Sequence, residues 1–311
     1  MPKTKANGIE IEYDSFGNND AEAVLLISGL GTQMIRWSET FCRILAEQGY
    51  RVIRFDNRDA GLSTHFDSTS MPDLAAISDA VSRGETPNVP YTLFDMANDA
   101  VGLLDSLMIT RAHVVGRSMG GMIAQLLASE HPERVLSLIS MMSSTGNREL
   151  PQASPAVMAA MTSPAPHPLK DEQGYLAHCV AFSQVIAGRG YPFDESAQRD
   201  QSLAEVKRAY NPSGFWRQIA AIAATGDLRS RLANISAPTL VLHGSDDPLV
   251  PPEAGKDTAA HIKGAELLIV EGMGHDLPPL LFGMVAGVIA DNARRVFNPA
   301  NRPDVTRPFI T

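Results

Sequence analysis

The chain has 311 residues, 44% of them hydrophobic and 20% charged, which suits one large α/β core or a core with one sizeable insertion and excludes a disordered chain. Lys and Arg number 26 against 35 Asp and Glu, a formal net charge of −9, with no like-charge block able to track a phosphate backbone, so no nucleic-acid partner is expected. Two cysteines, Cys42 and Cys179, make no disulfide framework or metal site and suit a reducing compartment. Residues 1–8 lack the apolar core of a secretory signal, and the mostly apolar stretch Leu277 to Ala290 is shorter than the roughly 18–20 residues of a membrane span, so the expected location is the cytoplasm.

In chain order, Ile9 to Tyr13 alternates apolar and charged residues, the pattern of an antiparallel edge strand with one wet face. Short apolar runs at Val24–Ser28, Val52–Phe55, His113–Val115, Val135–Ser140, Thr239–His243 and Leu267–Val270 read as buried strands of a parallel sheet. Between them, apolar residues recur at spacings of three, four and seven: Trp37, Phe41, Ile44 and Leu45; then Leu93, Met96, Ala100, Leu103, Leu104 and Leu107; then Met122, Ile123, Leu126 and Leu127. Each set predicts a helix with one face on the sheet. Thr64 to Tyr91 reads as a long irregular connection that approaches the site. The β/α rhythm stops after Ser144 and resumes near Pro238; the stretch between is rich in Ala, Pro and Met and then helical over Leu203–Tyr210 and Phe215–Ala224. It predicts a mainly helical insertion over one end of the sheet. The expected fold is α/β, a mostly parallel, doubly wound sheet. Residues 1–143 and 236–297 form its core, 144–235 the insertion, and 298–311 a polar tail.

Gly116-Arg117-Ser118-Met119-Gly120-Gly121 falls between a predicted strand and a predicted helix. In such an elbow the glycines let strand and helix pass closely and a tight turn exposes Ser118 Oγ; without that chemistry they merely close a turn. The turn also aims the first helical N–H groups, that of Met119 included, at the place where a tetrahedral oxyanion would form. A serine nucleophile needs a base within hydrogen-bond reach and a carboxylate to fix the base's tautomer. Gly244-Ser245-Asp246-Asp247-Pro248 and Glu271-Gly272-Met273-Gly274-His275 each follow a predicted strand, at the sheet edge where open α/β folds place their sites. The order serine, acid, histidine is the one this sheet type uses.

Asp247, immediately before Pro248, is the preferred acid, and Asp246 is expected to stabilise the turn by bonding its own backbone. No Asp or Glu between Val135 and Arg148 could supply an acid from the earlier strand. His275, in a glycine-flanked loop, is the expected base. His113 reads as packed or rim-exposed, His131 as a helix-end residue and His243 as a strand end, while His65, His167, His178 and His261 lack acid–base context. The loop Ser28-Gly29-Leu30-Gly31 offers the Leu30 N–H as a second oxyanion donor beside Met119; its glycines fit an ordinary strand exit equally well.

With these residues in place, the chain resembles the serine α/β-hydrolases of the esterase/lipase superfamily from about Gly8 to Ala290. Phe55-Asp56-Asn57-Arg58-Asp59-Ala60-Gly61-Leu62-Ser63 resembles a structural turn of that superfamily, with Asp59 where its first glycine would be and no catalytic role. Within the superfamily the chain is most similar to aclacinomycin methylesterase-like bacterial hydrolases, through Ser28–Trp37, that turn, Gly116–Gly121 and Gly190-Tyr191-Pro192-Phe193-Asp194-Glu195. The resemblance implies a carboxylic-ester hydrolase with Ser118, His275 and Asp247 as triad, an acyl-enzyme, and Leu30 and Met119 amides as oxyanion hole. Its expected substrates are small or medium hydrophobic esters, methyl esters among them, and it calls for no metal or organic cofactor. The insertion becomes a cap domain whose Met158, Met161, Phe182, Phe215 and Trp216 line an acyl or alcohol pocket or else pack cap helices together. The short loop at Leu30 makes bulky tertiary-alcohol esters unexpected. Serine at 118 argues against dehalogenase and epoxide-hydrolase chemistry, which uses a carboxylate nucleophile in this fold. A perhydrolase or haloperoxidase, a lactonase, a carbon–carbon bond hydrolase or a non-catalytic binding relative would keep the same fold. The expected partner is a small-molecule ester, and a homo-oligomer is left open.

Overall fold

A run such as Ala23–Ile27 has no side chain able to satisfy backbone N–H and C=O groups, so these must pair with neighbouring strands. The computed structural model describes residues 1–296 and arranges eight strands in one sheet: β1 (Lys3–Ala6), β2 (Ile9–Phe16), β3 (Ala23–Ile27), β4 (Arg51–Phe55), β5 (Ala112–Arg117), β6 (Val135–Met141), β7 (Thr239–Gly244) and β8 (Glu266–Val270). Their order is β1-β2-β4-β3-β5-β6-β7-β8, with β1 and β2 antiparallel and the other six parallel. The connecting helices are α1 (Glu39–Glu47), α2 (Leu74–Ser82), α3 (Leu93–Ser106), α4 (Met119–Glu130), α10 (Pro252–His261) and α11 (Phe282–Arg294). Between β6 and β7 the chain forms α5 (Pro155–Thr162), α6 (Glu172–Ile186), α7 (Glu195–Arg208), α8 (Pro212–Thr225) and α9 (Arg229–Leu232), with no strand. The expected tail from residue 298 lies outside the described residues.

Alternate residues of the central strands enter two cores, because side chains in a strand point to opposite faces. Leu25, Ile27, Val114 and Leu138 pack with Leu103, Leu104 and Leu127 of α3 and α4; Val24, Leu26, Val115 and Ile139 pack with Phe41, Leu45 and Ile289 of α1 and α11. Covering both faces explains why these strands read as unbroken apolar runs rather than alternating ones.

Two expectations are corrected. The Ile9–Tyr13 strand is not the edge: β1 pairs outside it, from Lys3 opposite Glu12 to Ala6 opposite Ile9. The turn is Asn7-Gly8, with φ of 47° and 79°, the doubly positive geometry of a tight hairpin. Thr64–Tyr91 is not wholly irregular, since it holds α2, whose first amides, Ala75 and Ala76 N–H, donate to Asp73 Oδ1 at 3.0 Å. That helix buries only Ile77, too little for an apolar stripe to show. No described helix is long and apolar enough to cross a membrane.

Candidate active site

The turn from β5 to α4 puts Ser118 at φ 57°, ψ −124°, a strained conformation for a residue with a Cβ. One local and two long-range bonds hold it there: Ser118 O accepts from Gly121 N–H at 2.8 Å, while Ser118 N–H donates to Met141 O at 2.9 Å and Ser118 O accepts from Ser143 Oγ–H at 2.7 Å. A Cβ on Gly116 would lie 2.0 Å from Gly120 O, and one on Gly120 2.2 Å from Ile27 O. Strand and helix therefore pass at distances that only glycine allows, and Ser118 stays half-buried at the turn's tip.

The loops after β7 and β8 bring their residues to the same edge. His275 Nε2 lies 2.9 Å from Ser118 Oγ, and His275 Nδ1 lies 2.7 Å from Asp247 Oδ2. Asp247 Oδ1 accepts the Leu249 and Val250 N–H groups at 3.0 and 2.8 Å. Burial raises the Asp247 pKa, but the His275 charge, bonds from His243 and His275, and the Val250 N–H outweigh it and hold the carboxyl at about 2. An ionised Asp247 places the imidazole proton on Nδ1 and leaves Nε2 free to accept from Ser118. The histidine loop is braced in turn: His275 N–H donates to Ile186 O at 2.8 Å, and His275 O accepts from Arg117 Nη2 at 3.1 Å.

The loop after β3 presses on Ser118, a Cβ on Gly29 standing 3.2 Å from Ser118 Cβ. Gly29 O accepts from Thr32 N–H at 3.3 Å and Thr32 Oγ1–H at 2.9 Å. Neither the Leu30 nor the Met119 N–H donates to a protein acceptor among the described residues. Of the apolar side chains expected over the site, Phe215 lies against this loop, its ring 2.8 Å from where a Gly31 Cβ would be, and meets Trp216 edge-on with centroids 5.2 Å apart. Met158 is 41% exposed; Met161, Phe182 and Trp216 are half-buried.

One turn role is reassigned. Asp247 itself, not Asp246, makes the Asx turn to residues 249 and 250, while Asp246 accepts from Ser245 Oγ–H at 3.0 Å and Arg189 N–H at 3.3 Å. His243, read from sequence only as a strand end, is fully buried beside Asp247. Its Nε2 donates to Val250 O at 2.8 Å and sits 3.5 Å from Asp247 Oδ2; the surrounding sequence carries no signal for either contact. His113 is packed, bonded to Ser137 Oγ at 2.9 Å, and His131 closes α4, 3.0 Å from Asn98 Oδ1. Asp59 has φ 65° and takes a two-pronged bond from Arg217 of α8 at 2.8 and 2.7 Å and a 2.6 Å bond from Tyr91 O–H. It fastens the core turn to the helices between β6 and β7.

This fold and edge arrangement define an α/β hydrolase. Residues 22–279 match the alpha/beta hydrolase fold family, and the chain belongs to it. It is 29% identical to the rhodomycin D methylesterase DauP of Streptomyces sp. strain C5, over 94% of this chain and 99% of that protein. It is 26% identical to 3-oxoadipate enol-lactonase 2 of Acinetobacter baylyi, over 86% of each. Among solved structures, the enol-lactonase of Burkholderia xenovorans LB400 superposes with a TM-score of 0.68 at 23% identity, covering 94% of this chain and 99% of that one. The protein is a hydrolytic enzyme of the esterase type.

Proposed function

We propose that the protein hydrolyses carboxylic esters through an acyl-enzyme on Ser118. The observation that carries this reading is the unbroken relay from Ser118 Oγ through His275 to Asp247, with contacts of 2.9 and 2.7 Å. His275 Nε2 takes the Ser118 proton as Oγ bonds to the acyl carbon, and the carbonyl oxygen becomes an oxyanion facing the Leu30 and Met119 amides. The intermediate collapses, the ester C–O bond breaks, and the leaving alkoxide takes the proton from His275. Water, deprotonated by His275, then attacks the acyl carbon; the acid departs and Ser118 regains its proton. Each oxyanion donor is worth about 100- to 1000-fold in rate.

Similarity to a methylesterase along nearly the whole chain supports methyl esters of hydrophobic acids as the substrate class. Helices α5–α9 serve as the cap, with Phe215, beside the Leu30 loop, nearest the acyl group and Met158, Met161, Phe182 and Trp216 further along the pocket. Two free cysteines agree with a cytoplasmic setting. The test is labelling by a fluorophosphonate and turnover of p-nitrophenyl and methyl esters of graded acyl length, both abolished in Ser118→Ala. An unlabelled wild-type enzyme, or a Ser118→Ala variant that still turns over, rejects the reading. Faster turnover of an enol-lactone than of any ester would move the substrate class to lactones.

A further inference from the structure

We infer that Gln218, on α8, is a positioning residue that pins the oxyanion turn Gly29–Thr32 and so fixes the place of the Leu30 N–H. The inference deepens the reading above and rests on it. The turn is closed by Thr32 N–H to Gly29 O at 3.3 Å, and its third residue, Gly31, has φ +65°. A four-residue turn with glycine in that place has a second shape of similar energy, reached by rotating the peptide between its second and third residues through half a turn. The two shapes point that peptide's N–H in opposite directions; the rotation leaves φ of Leu30 unchanged, but it breaks the turn's tie to α8 at the Gly31 N–H, so the segment that carries the Leu30 N–H loses its fixed distance from Ser118. Glycine has no side chain to oppose the rotation, so something outside the turn has to.

Gln218 is placed to do so. Its Oε1 accepts the Gly31 N–H at 2.7 Å, and its Nε2 donates to Arg58 O at 2.8 Å. The side chain is 0% exposed. Reversing the amide would set donor against donor and acceptor against acceptor, so its orientation is fixed. A rotated Leu30–Gly31 peptide would leave Gln218 Oε1 buried without a donor. The anchor is itself immobile: the neighbouring Arg217 is locked to Asp59, and Arg58 is held by two bonds to Asp99 at 2.6 and 2.7 Å. From the core side, Asn57 Nδ2 donates to Ser28 O at 3.0 Å, bracing the entry to the same turn. A residue 187 positions from Gly31 in sequence thus sets the place of the neighbouring Leu30 amide, which faces the reacting carbonyl.

The test replaces Gln218 by Met, which keeps length and removes both polar groups. The probes are p-nitrophenyl butyrate, an alkyl trifluoromethyl ketone that adds to Ser118 and forms an oxyanion, and the matching trifluoromethyl alcohol, which occupies the site without one. Loss of the held turn is expected to lower kcat/KM and ketone affinity by the same factor, about 10- to 100-fold, part of the value of one donor. Alcohol affinity and KM should change by less than about threefold, because neither reports on an oxyanion. Should Gln218→Met fail to fold by thermal unfolding, Gln218→Asn, whose amide is drawn back by one methylene, makes the same comparison. Equal losses of ketone and alcohol affinity would mean general loosening and overturn the inference, as would unchanged ketone affinity. Fluorophosphonate labelling of the wild type separates the two levels: a labelled Ser118 with an indifferent Gln218 variant sinks only this inference, and no labelling sinks both.

Discussion

Replacing Asp247 by Asn alters one buried atom and should reverse one hydrogen bond. Oδ1 accepts from the Leu249 and Val250 amides at 3.0 and 2.8 Å, so the Asn carbonyl must occupy that side, which turns its NH2 toward His275 Nδ1, now 2.7 Å from the carboxylate. Two donors cannot face each other, so the imidazole proton moves to Nε2. Nε2–H then donates to Ser118 Oγ across the 2.9 Å contact and cannot take its proton. Holding the base in the wrong tautomer is expected to cost about 10,000-fold in kcat, about 5–6 kcal/mol. The assay is steady-state hydrolysis of p-nitrophenyl butyrate at neutral pH, with thermal unfolding to show that the near-isosteric variant folds. A kcat within tenfold of wild type would refute the proposal that Asp247 orients the base.

Three further outcomes are expected. The Asp247 carboxyl, at about 2 against an ordinary 3.8, adds about 2 kcal/mol of stability that is whole above the ordinary value and is lost as pH falls through the lowered one. The urea-unfolding gap between wild type and Asp247→Asn should therefore narrow by that amount from pH 5 to pH 2, and parallel profiles would contradict it. Gly188→Ala puts a Cβ 2.1 Å from Gly272 O, against the loop that carries His275. Stopped assays should show kcat down about 10- to 100-fold with a smaller change in KM, and an unaltered kcat would show that the loop does not need this contact. Arg217→Met leaves Asp59 buried without its partner, the two side chains being 1% and 0% exposed; chemical denaturation should show a loss of about 3–5 kcal/mol, partly restored by adding Asp59→Asn.

The elements most legible in the sequence were those whose burial is simple. β3, β6 and β7 are covered on both faces, so nearly every residue had to be apolar, and their observed bounds fall within about two residues of the runs that predicted them. Ser118, Asp247 and His275 were legible because each follows a strand at the edge where parallel sheets open. β1 was missed because four residues give too short an alternation, although Asn7-Gly8 announced the hairpin. α2 was missed because its stability comes from its cap at Asp73 and from packing on α8, not from an apolar stripe. His243 and Gln218 were out of reach for another reason. Each acts through a hydrogen bond to backbone brought near by the fold, and no periodicity in the surrounding residues marks such a bond.

Those backbone contacts also constrain how the helices between β6 and β7 can move. The histidine loop is tied to them by His275 N–H to Ile186 O and by Gly190 N–H to Gly272 O at 2.9 Å. The Gly29–Thr32 turn is tied to α8 through Gln218. Arg208 of α7 lies 2.6 Å from Asp56, and Arg217 of α8 lies 2.7 Å from Asp59, both carboxylates being fully buried. Lifting α7 and α8 away would strand those two carboxylates, at about 3–5 kcal/mol each, and would release the Gly29–Thr32 turn from its bond to Gln218. An opening motion that did this on every turnover would spend most of a small domain's stability and dismantle the site it serves. Substrate must therefore enter past elements with fewer such ties. Among the helices of this region, α5 buries a single residue, Val157, as α9 buries Leu232, but among the described residues it lacks the ion pairs that tie α9 through Arg229 and Arg231, so it can yield at the least cost while α7 and α8 keep the Gly29–Thr32 turn and His275 in register.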